Sequence, residues 1–73
     1  MVELKDWSQE TELNTPLGEG ACDFQMVAQA LRDADYRGWL VVEQNGHNGL
    51  SRGRQPAECA RISRQLIRDT FLL

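Results

Sequence analysis

The sequence predicts an α/β fold made of two strand–helix units, in the order strand, helix, strand, helix. Three observations support this prediction: an alternating segment near residue 2, two segments with apolar residues at helical spacing, and a short apolar run between them. A strand, a crossover helix and a second strand form the unit from which parallel sheets are built. We therefore expect the two strands to pair in parallel.

The first strand is predicted over Val2–Trp7, where apolar and charged residues alternate. A period of two places Val2 and Leu4 on one face of the strand. Glu3 and Lys5 then share the opposite face. Charged residues on the inner face of a sheet would indicate a site, because a buried charge is costly unless it is paired or bound to a metal. On an edge strand with one face in water the same alternation is ordinary, and spacing alone favours that interpretation.

A polar loop is predicted over Ser8–Gly20, which contains Asn-Thr-Pro and Gly-Glu-Gly, both typical of turns. The Gly-Glu-Gly segment could shape a turn near a ligand, although it lacks the spacing of a phosphate-binding loop. Asp23 suits the N-cap of a helix over Phe24–Ala34, whose apolar residues recur at helical spacing. A turn follows, in which Gly38 is available for a positive φ.

The second strand is predicted over Trp39–Glu43, a nearly continuous apolar run rich in β-branched residues. Such runs are typical of strands that are buried on both faces in parallel sheets. The run ends in Glu43, Gln44 and Asn45, so a carboxylate falls where α/β proteins place catalytic and ligand-binding groups. The alternative is an acid that faces solvent in the next loop, and the residues alone leave the two interpretations nearly equal.

After a loop over Gly46–Gln55, a final helix is predicted from Pro56 to about Thr70, because proline suits the first position of a helix. The predicted inward positions are Cys59, Ile62, Ser63, Leu66 and Thr70, and the outward ones are Arg61, Arg64 and Arg68.

Five further side chains are predicted to have structural or solvent-facing roles. His47 lies in a loop and is expected to be solvated rather than a metal ligand. Trp7 and Trp39 are expected to bury apolar area rather than stack on a sugar, although Trp7, at the carboxyl end of a strand, could do either. Cys59 is predicted to be a small core residue, and Cys22 is a poor candidate for a nucleophile, since no histidine or second cysteine lies near it in the sequence.

Composition limits the classes of function. The sequence contains eight basic and 11 acidic residues, which gives a net charge of -3 and an isoelectric point near 4.9. This acidic balance argues against nucleic-acid partners and anionic membrane surfaces, which need basic patches. The sequence has no apolar run of membrane-spanning length, no secretory leader, and too few cysteines for a disulfide scaffold. We therefore expect a reduced chain in the cytoplasm.

Three segments of the chain carry a family resemblance: V-E-L-K-D at 2–6, P-L-G-E-G followed by D-F between 16 and 24, and Y-R-G-W-L-V-V-E-Q at 36–44. They are similar to the seventh strand (V-H-L-K-D), the following loop and the eighth strand of the xylose isomerase-like TIM-barrel superfamily. That group includes sugar phosphate isomerases and epimerases as well as inosose dehydratase. The resemblance implies that residues 1–73 are the carboxyl-terminal fragment of a (β/α)8 barrel, two of its eight units, rather than a complete domain.

The resemblance also implies a divalent metal (Mn, Mg, Co or Zn) held at the barrel mouth by side chains from several strands. Glu43 matches the eighth-strand glutamate, which is a metal ligand and, in the epimerases, a base. Glu3 stands where the family has a histidine ligand, and a carboxylate can also bind Mn²⁺ or Mg²⁺. Lys5 matches a position at the active-site mouth and is a candidate substrate contact.

The function expected from this resemblance is that of the carboxyl-terminal part of a metal-dependent sugar or sugar phosphate isomerase or epimerase. It would act on a small carbohydrate by metal-assisted proton transfer and would be inactive without the rest of the barrel. Met1 falls within the first strand, which also suggests a truncated product. Two alternatives stay open: an inosose dehydratase-type lyase of the same superfamily, and a non-catalytic module that self-associates through exposed strand edges.

Overall fold

The computed structural model describes residues 1–44 and 49–71. In chain order its elements are β1 (Val2–Leu4), β2 (Asp6–Ser8), β3 (Leu13–Thr15), α1 (Phe24–Asp33), β4 (Leu40–Val42), a 3₁₀ turn (Ser51–Gly53) and α2 (Pro56–Phe71). The predicted α/β class and its two strand–helix units are confirmed. A short hairpin, β2–β3, is added to the predicted order.

Strands β1 and β4 form a parallel pair, as the sequence predicts. The register pairs Val2 with Leu40, Glu3 with Val41, and Leu4 with Val42. Two backbone hydrogen bonds extend the pairing, from Val2 N to Trp39 O (3.0 Å) and from Glu43 N to Leu4 O (2.9 Å). The pairing therefore continues as far as Glu43, one residue beyond β4.

The core lies against one face of this parallel pair. Leu4 is buried there with Leu17, Phe24 and Ile67, which come from a loop and from the two helices. Around this centre pack further, partly buried apolar side chains, among them Val2, Leu40 and Val42 from the two strands. Since these strand residues alternate with Glu3 and Val41, the helices cover one face of the pair and leave the other uncovered.

The prediction of one strand over Val2–Trp7 followed by a loop over Ser8–Gly20 is wrong in detail. The chain leaves the parallel pair after Leu4, and β2 pairs antiparallel with β3 instead. The tight turn between them is closed by a hydrogen bond from Glu12 N to Ser8 O (2.8 Å), and Glu12 takes a positive φ of 57°. Three-residue strands joined by polar residues are too short to show a clear alternating pattern, which explains why the sequence indicates only a loop.

Both predicted helices are present close to their expected bounds. The Asp23 carboxylate caps α1 by accepting a hydrogen bond from Met26 N (3.1 Å), which confirms the predicted N-cap. The turn after α1 differs from expectation, because Asp35 rather than Gly38 takes the positive φ (51°).

Helix α2 buries one side and exposes its arginines, as the spacing predicts. Its buried residues are Cys59, Ser63, Ile67 and Thr70, whereas Ile62 and Leu66 are half-buried. In residues 1–44 and 49–71, no helix is long and apolar enough to cross a membrane.

Ser63 gives a direct test of how α2 is attached to the rest of the fold. Its hydroxyl oxygen accepts a hydrogen bond from Leu17 N (3.0 Å), and both residues are almost fully buried. We expect Ser63→Ala to lower the free energy of unfolding by about 1–3 kcal/mol, because it leaves a buried N–H without a partner. Urea denaturation measures the change.

Gln65→Ala on the exposed side of the same helix is the control for this prediction. The exposed side chain of Gln65 donates a hydrogen bond to Asp69 Oδ1 (2.9 Å), and the loss of such a surface contact should cost under about 0.5 kcal/mol. Equal effects of the two substitutions would contradict the assigned role of Ser63.

Candidate active site

The three predicted site residues, Glu3, Lys5 and Glu43, lie on the same side of the parallel pair. Lys5 lies between Leu4 and Asp6, which are both buried, and it is itself exposed like Glu3. Glu43 follows Val41 by two residues and therefore shares its face, and Val41 is the register partner of Glu3. We call the side that carries Glu3, Lys5, Val41 and Glu43 the uncovered face.

The register also fixes the position of each residue along the strand axis on this face. Leu4 pairs with Val42, so Lys5 and Glu43 are the residues that directly follow the last registered pair on the two strands. Both therefore stand at the carboxyl edge of the parallel pair. Glu3 lies about 7 Å nearer the amino end of the strand pair than Glu43, because its register partner Val41 precedes Glu43 by two residues.

The donor chemistry of this face suits a hard divalent cation, but the described donors are few. Carboxylates such as those of Glu3 and Glu43 are the ligands that Mn²⁺ and Mg²⁺ prefer. Within residues 1–44 and 49–71, no group of three or more His, Cys, Asp or Glu side chains could hold a metal ion. His47 and Asn45 lie outside the described residues.

Asp6 organises the carboxyl edge, a role that the sequence pattern did not predict for it. Its side chain is 2% exposed and accepts four backbone hydrogen bonds of 2.9–3.1 Å. Oδ1 accepts from Trp7 N and Cys22 N, and Oδ2 accepts from Gly18 N and Gly20 N. The alternating pattern did contain a signal, because it places Asp6 on the face of Leu4, where an unpaired carboxylate would be costly.

The two glycines of the Gly-Glu-Gly segment are required by this arrangement. Gly18 has a φ of 93°, and a Cβ there would overlap the Leu66 side chain. A Cβ at Gly20 would collide with Asp6 Oδ1 and lie 2.6 Å from Trp7 O. The segment forms a tight turn, as predicted, and the structure places this turn against Asp6. Its nearness to a ligand stays a prediction.

Polar contacts connect the loops that follow β3 and β4. Glu19 pairs with Arg54 at 2.9 Å, and Arg54 also reaches Glu58 at 3.6 Å. The Arg54 side chain is 24% exposed, so its pair with Glu19 is better shielded from solvent than an ordinary surface pair. Gln44, the residue after Glu43, donates a hydrogen bond from Nε2 to Pro56 O (3.1 Å).

Trp7 and Trp39 do not bury the area expected of them. Trp39 is 80% exposed and Trp7 is 44% exposed. The physical reason is the alternation of the chain, because Trp7 follows the buried Asp6 and Trp39 precedes Leu40, which packs against the core. Trp39 thus shares the side of Val41, which is 38% exposed. The uncovered face is therefore partly apolar.

A parallel strand pair with helices on one face only, and charged residues at its carboxyl edge, corresponds to part of a barrel wall. Residues 1–70 match the sequence profile of a protein family described as xylose isomerase-like TIM barrel. The chain belongs to this family. In a TIM barrel the helices form the outer ring and the other face of the strands points inward. The uncovered face thus corresponds to the interior of a xylose isomerase-like barrel.

Individual relatives agree with the family match over a short stretch. The chain is 42% identical over 53 residues to inosose dehydratase of Geobacillus thermodenitrificans (strain NG80-2). It is 40% identical over 53 residues to the proteins of the same name from two strains of Klebsiella pneumoniae. Each match covers 73% of this chain and 17% of the relative. No solved structure gives a significant match.

The cysteine beside this edge should react slowly with electrophiles. Cys22 is an exposed residue. Partial desolvation of its thiol raises the pKa, and the nearby negative charges of Asp6 and Asp23 raise it further. A raised pKa leaves less thiolate at any given pH below it, so we expect alkylation of Cys22 by iodoacetamide at pH 7 to be slower than that of the same cysteine in the urea-unfolded chain.

Mass spectrometry of alkylated peptides resolves Cys22 from Cys59, which is buried and provides an internal control. The rate at Cys22 should also increase in Asp23→Asn, because one negative charge is removed. Alkylation as fast in the folded chain as in urea would contradict the assignment.

Proposed function

We propose that this chain contributes Glu43, Lys5 and Glu3 to the active site of a metal-dependent carbohydrate enzyme with a xylose isomerase-like barrel. The observation that carries the proposal is their shared position on the uncovered face, with Glu43 and Lys5 at the carboxyl edge. Active sites of TIM-barrel enzymes lie at this end of the strands. The reaction class is proton transfer at a carbon next to a carbonyl group.

Among the reactions of this class, the relatives favour dehydration of inosose. All three matched relatives carry the name inosose dehydratase, at 40–42% identity. Isomerisation or epimerisation of a small sugar or sugar phosphate is the second candidate, and it rests on the similarity of three sequence segments to that group. Both reactions begin by removing a proton from a carbon next to a carbonyl, so the same residues would serve either one.

Each residue has a defined task in this proposal. Glu43 is half-buried at the strand end, where its carboxylate can take up the substrate proton and bind a metal ion. Glu3, lower on the same face, offers a second carboxylate as a metal ligand. Lys5 presents an ammonium group beside Glu43 to bind a hydroxyl, carbonyl or phosphate oxygen of the substrate. When bound, the metal would polarise the carbonyl group and acidify the neighbouring C–H.

The partner required by this proposal is the remainder of a barrel, since the matched stretch spans 17% of each relative. The exposed Trp39 and Val41 side chains would be covered by it. A non-catalytic module that self-associates through the same face is the alternative that the exposed apolar residues also support. We also propose that the chain acts in the cytoplasm, as expected from its composition.

The 73-residue chain alone should bind Mn²⁺ weakly and should not convert inosose, because the described residues offer too few ligands. Isothermal titration calorimetry and a turnover assay measure these properties, and light scattering on the same sample reports its size. Tight stoichiometric binding would contradict the expectation, and a uniform oligomer that binds no metal would favour the non-catalytic module.

The catalytic role is tested in a chimera, in which this chain replaces the matching segment of the Geobacillus thermodenitrificans inosose dehydratase. We expect the chimera to dehydrate inosose when Mn²⁺ or Co²⁺ is supplied. Glu43→Gln should lower kcat by roughly 10²–10⁴-fold, because an amide neither accepts the proton nor binds the metal well.

Glu10→Gln is the matched control in the chimera. Glu10 is an exposed acid paired with Arg52 at 3.7 Å, so its change should leave kcat unaltered. Equal losses in the two variants, or no loss in Glu43→Gln, would refute the role of Glu43. Exchange of the substrate's carbon-bound proton without loss of water would favour the isomerase or epimerase alternative.

A further inference from the structure

Lys5 occupies the single position between two sheets. On one side, Leu4 ends β1, and its carbonyl oxygen accepts the hydrogen bond from Glu43 N (2.9 Å). On the other side, Asp6 begins β2, which pairs with β3 in a different sheet. The direction of the Lys5 side chain therefore depends on how firmly both neighbours are held.

The Asp6 side is held by the densest set of side-chain hydrogen bonds among the described residues. Its two carboxylate oxygens accept two backbone N–H groups each, and three of the four donors come from the loop at 18–22. A backbone hydrogen bond from Ala21 N to Trp7 O (3.1 Å) fixes the same loop to the middle residue of β2. A carboxylate bound on both oxygens cannot rotate without breaking several of these bonds.

We propose that Asp6 is a positioning residue that acts through Lys5: the carboxylate fixes the peptide between the two sheets and so directs the Lys5 ammonium group over the carboxyl edge beside Glu43. This inference rests on the proposed function, in which Lys5 binds the substrate. Asp6 itself is buried on the core side of the strand, opposite the face on which the proposal places the substrate. Its contribution is thus to substrate binding rather than to proton transfer.

A double-mutant cycle in the chimera separates this role from general structural support. Asp6→Asn keeps the size of the side chain but turns an NH₂ group towards two N–H donors, which breaks their hydrogen bonds. We expect it to raise KM about tenfold while kcat changes less than about threefold. In a Lys5→Met background, where the ammonium group is already absent, the same change should alter KM by less than about twofold.

Hydrogen exchange in the chimera tests the anchor without any turnover. The amide protons of Gly18, Gly20 and Cys22 should lose protection in Asp6→Asn, while those of α2 keep theirs. If Asp6→Asn fails to fold, Gly20→Ala disturbs the same carboxylate from the partner side, since its Cβ would collide with Asp6 Oδ1. Gly20→Ala should likewise raise KM when Lys5 is present and leave KM nearly unchanged in the Lys5→Met background.

Two outcomes would overturn the inference. One is that Asp6→Asn raises KM by the same factor with Lys5 present and in the Lys5→Met background. That result would indicate that Asp6 gives general structural support only. The other is unchanged protection at the three loop amides. A chimera that is inactive towards inosose would count against the proposed dehydration, and the exchange result would still decide whether Asp6 anchors this edge.

Discussion

The carboxylate of Asp6 is the interaction on which the rest of the carboxyl edge depends. It connects the start of the hairpin to the loop that leads into α1, and it does so through backbone N–H groups rather than other side chains. The same loop places Leu17 in the core and Glu19 against Arg54. One buried acid thus links the first strand, the core and the segment before α2.

The second constraint is that the two helices cover only one face of the parallel pair. Leu4, Leu40 and Val42 pack towards the helices, whereas Trp39 and Val41 remain exposed on the other side. A face that combines exposed apolar residues with carboxylates and a lysine is costly in water and useful inside a barrel, where neighbouring strands enclose it. The distribution of burial therefore agrees with membership of a barrel family.

Much of this arrangement could be predicted from the sequence, because the strands and helices have strong periodicity. The opposite faces of Leu4 and Lys5 follow from a period of two, and the parallel pairing follows from the strand–helix–strand order. The hairpin and the role of Asp6 could not be predicted in this way. The strands of the hairpin are three residues long, which is too short for a clear alternating pattern. The role of Asp6 depends on three hydrogen bonds between residues 12 to 16 positions apart, such as that from Gly18 N to Asp6 Oδ2, which no local pattern encodes.

The place of Lys5 as the lone residue between two sheets has a consequence for how this segment can change in evolution. Adding or removing one residue there would exchange the faces of the residues that follow, so that the buried carboxylate of Asp6 would point outward. Replacing a side chain would alter one contact, whereas a shift in length would undo the whole edge. The spacing between Leu4 and Asp6 is therefore under stricter physical control than the identity of the residue between them.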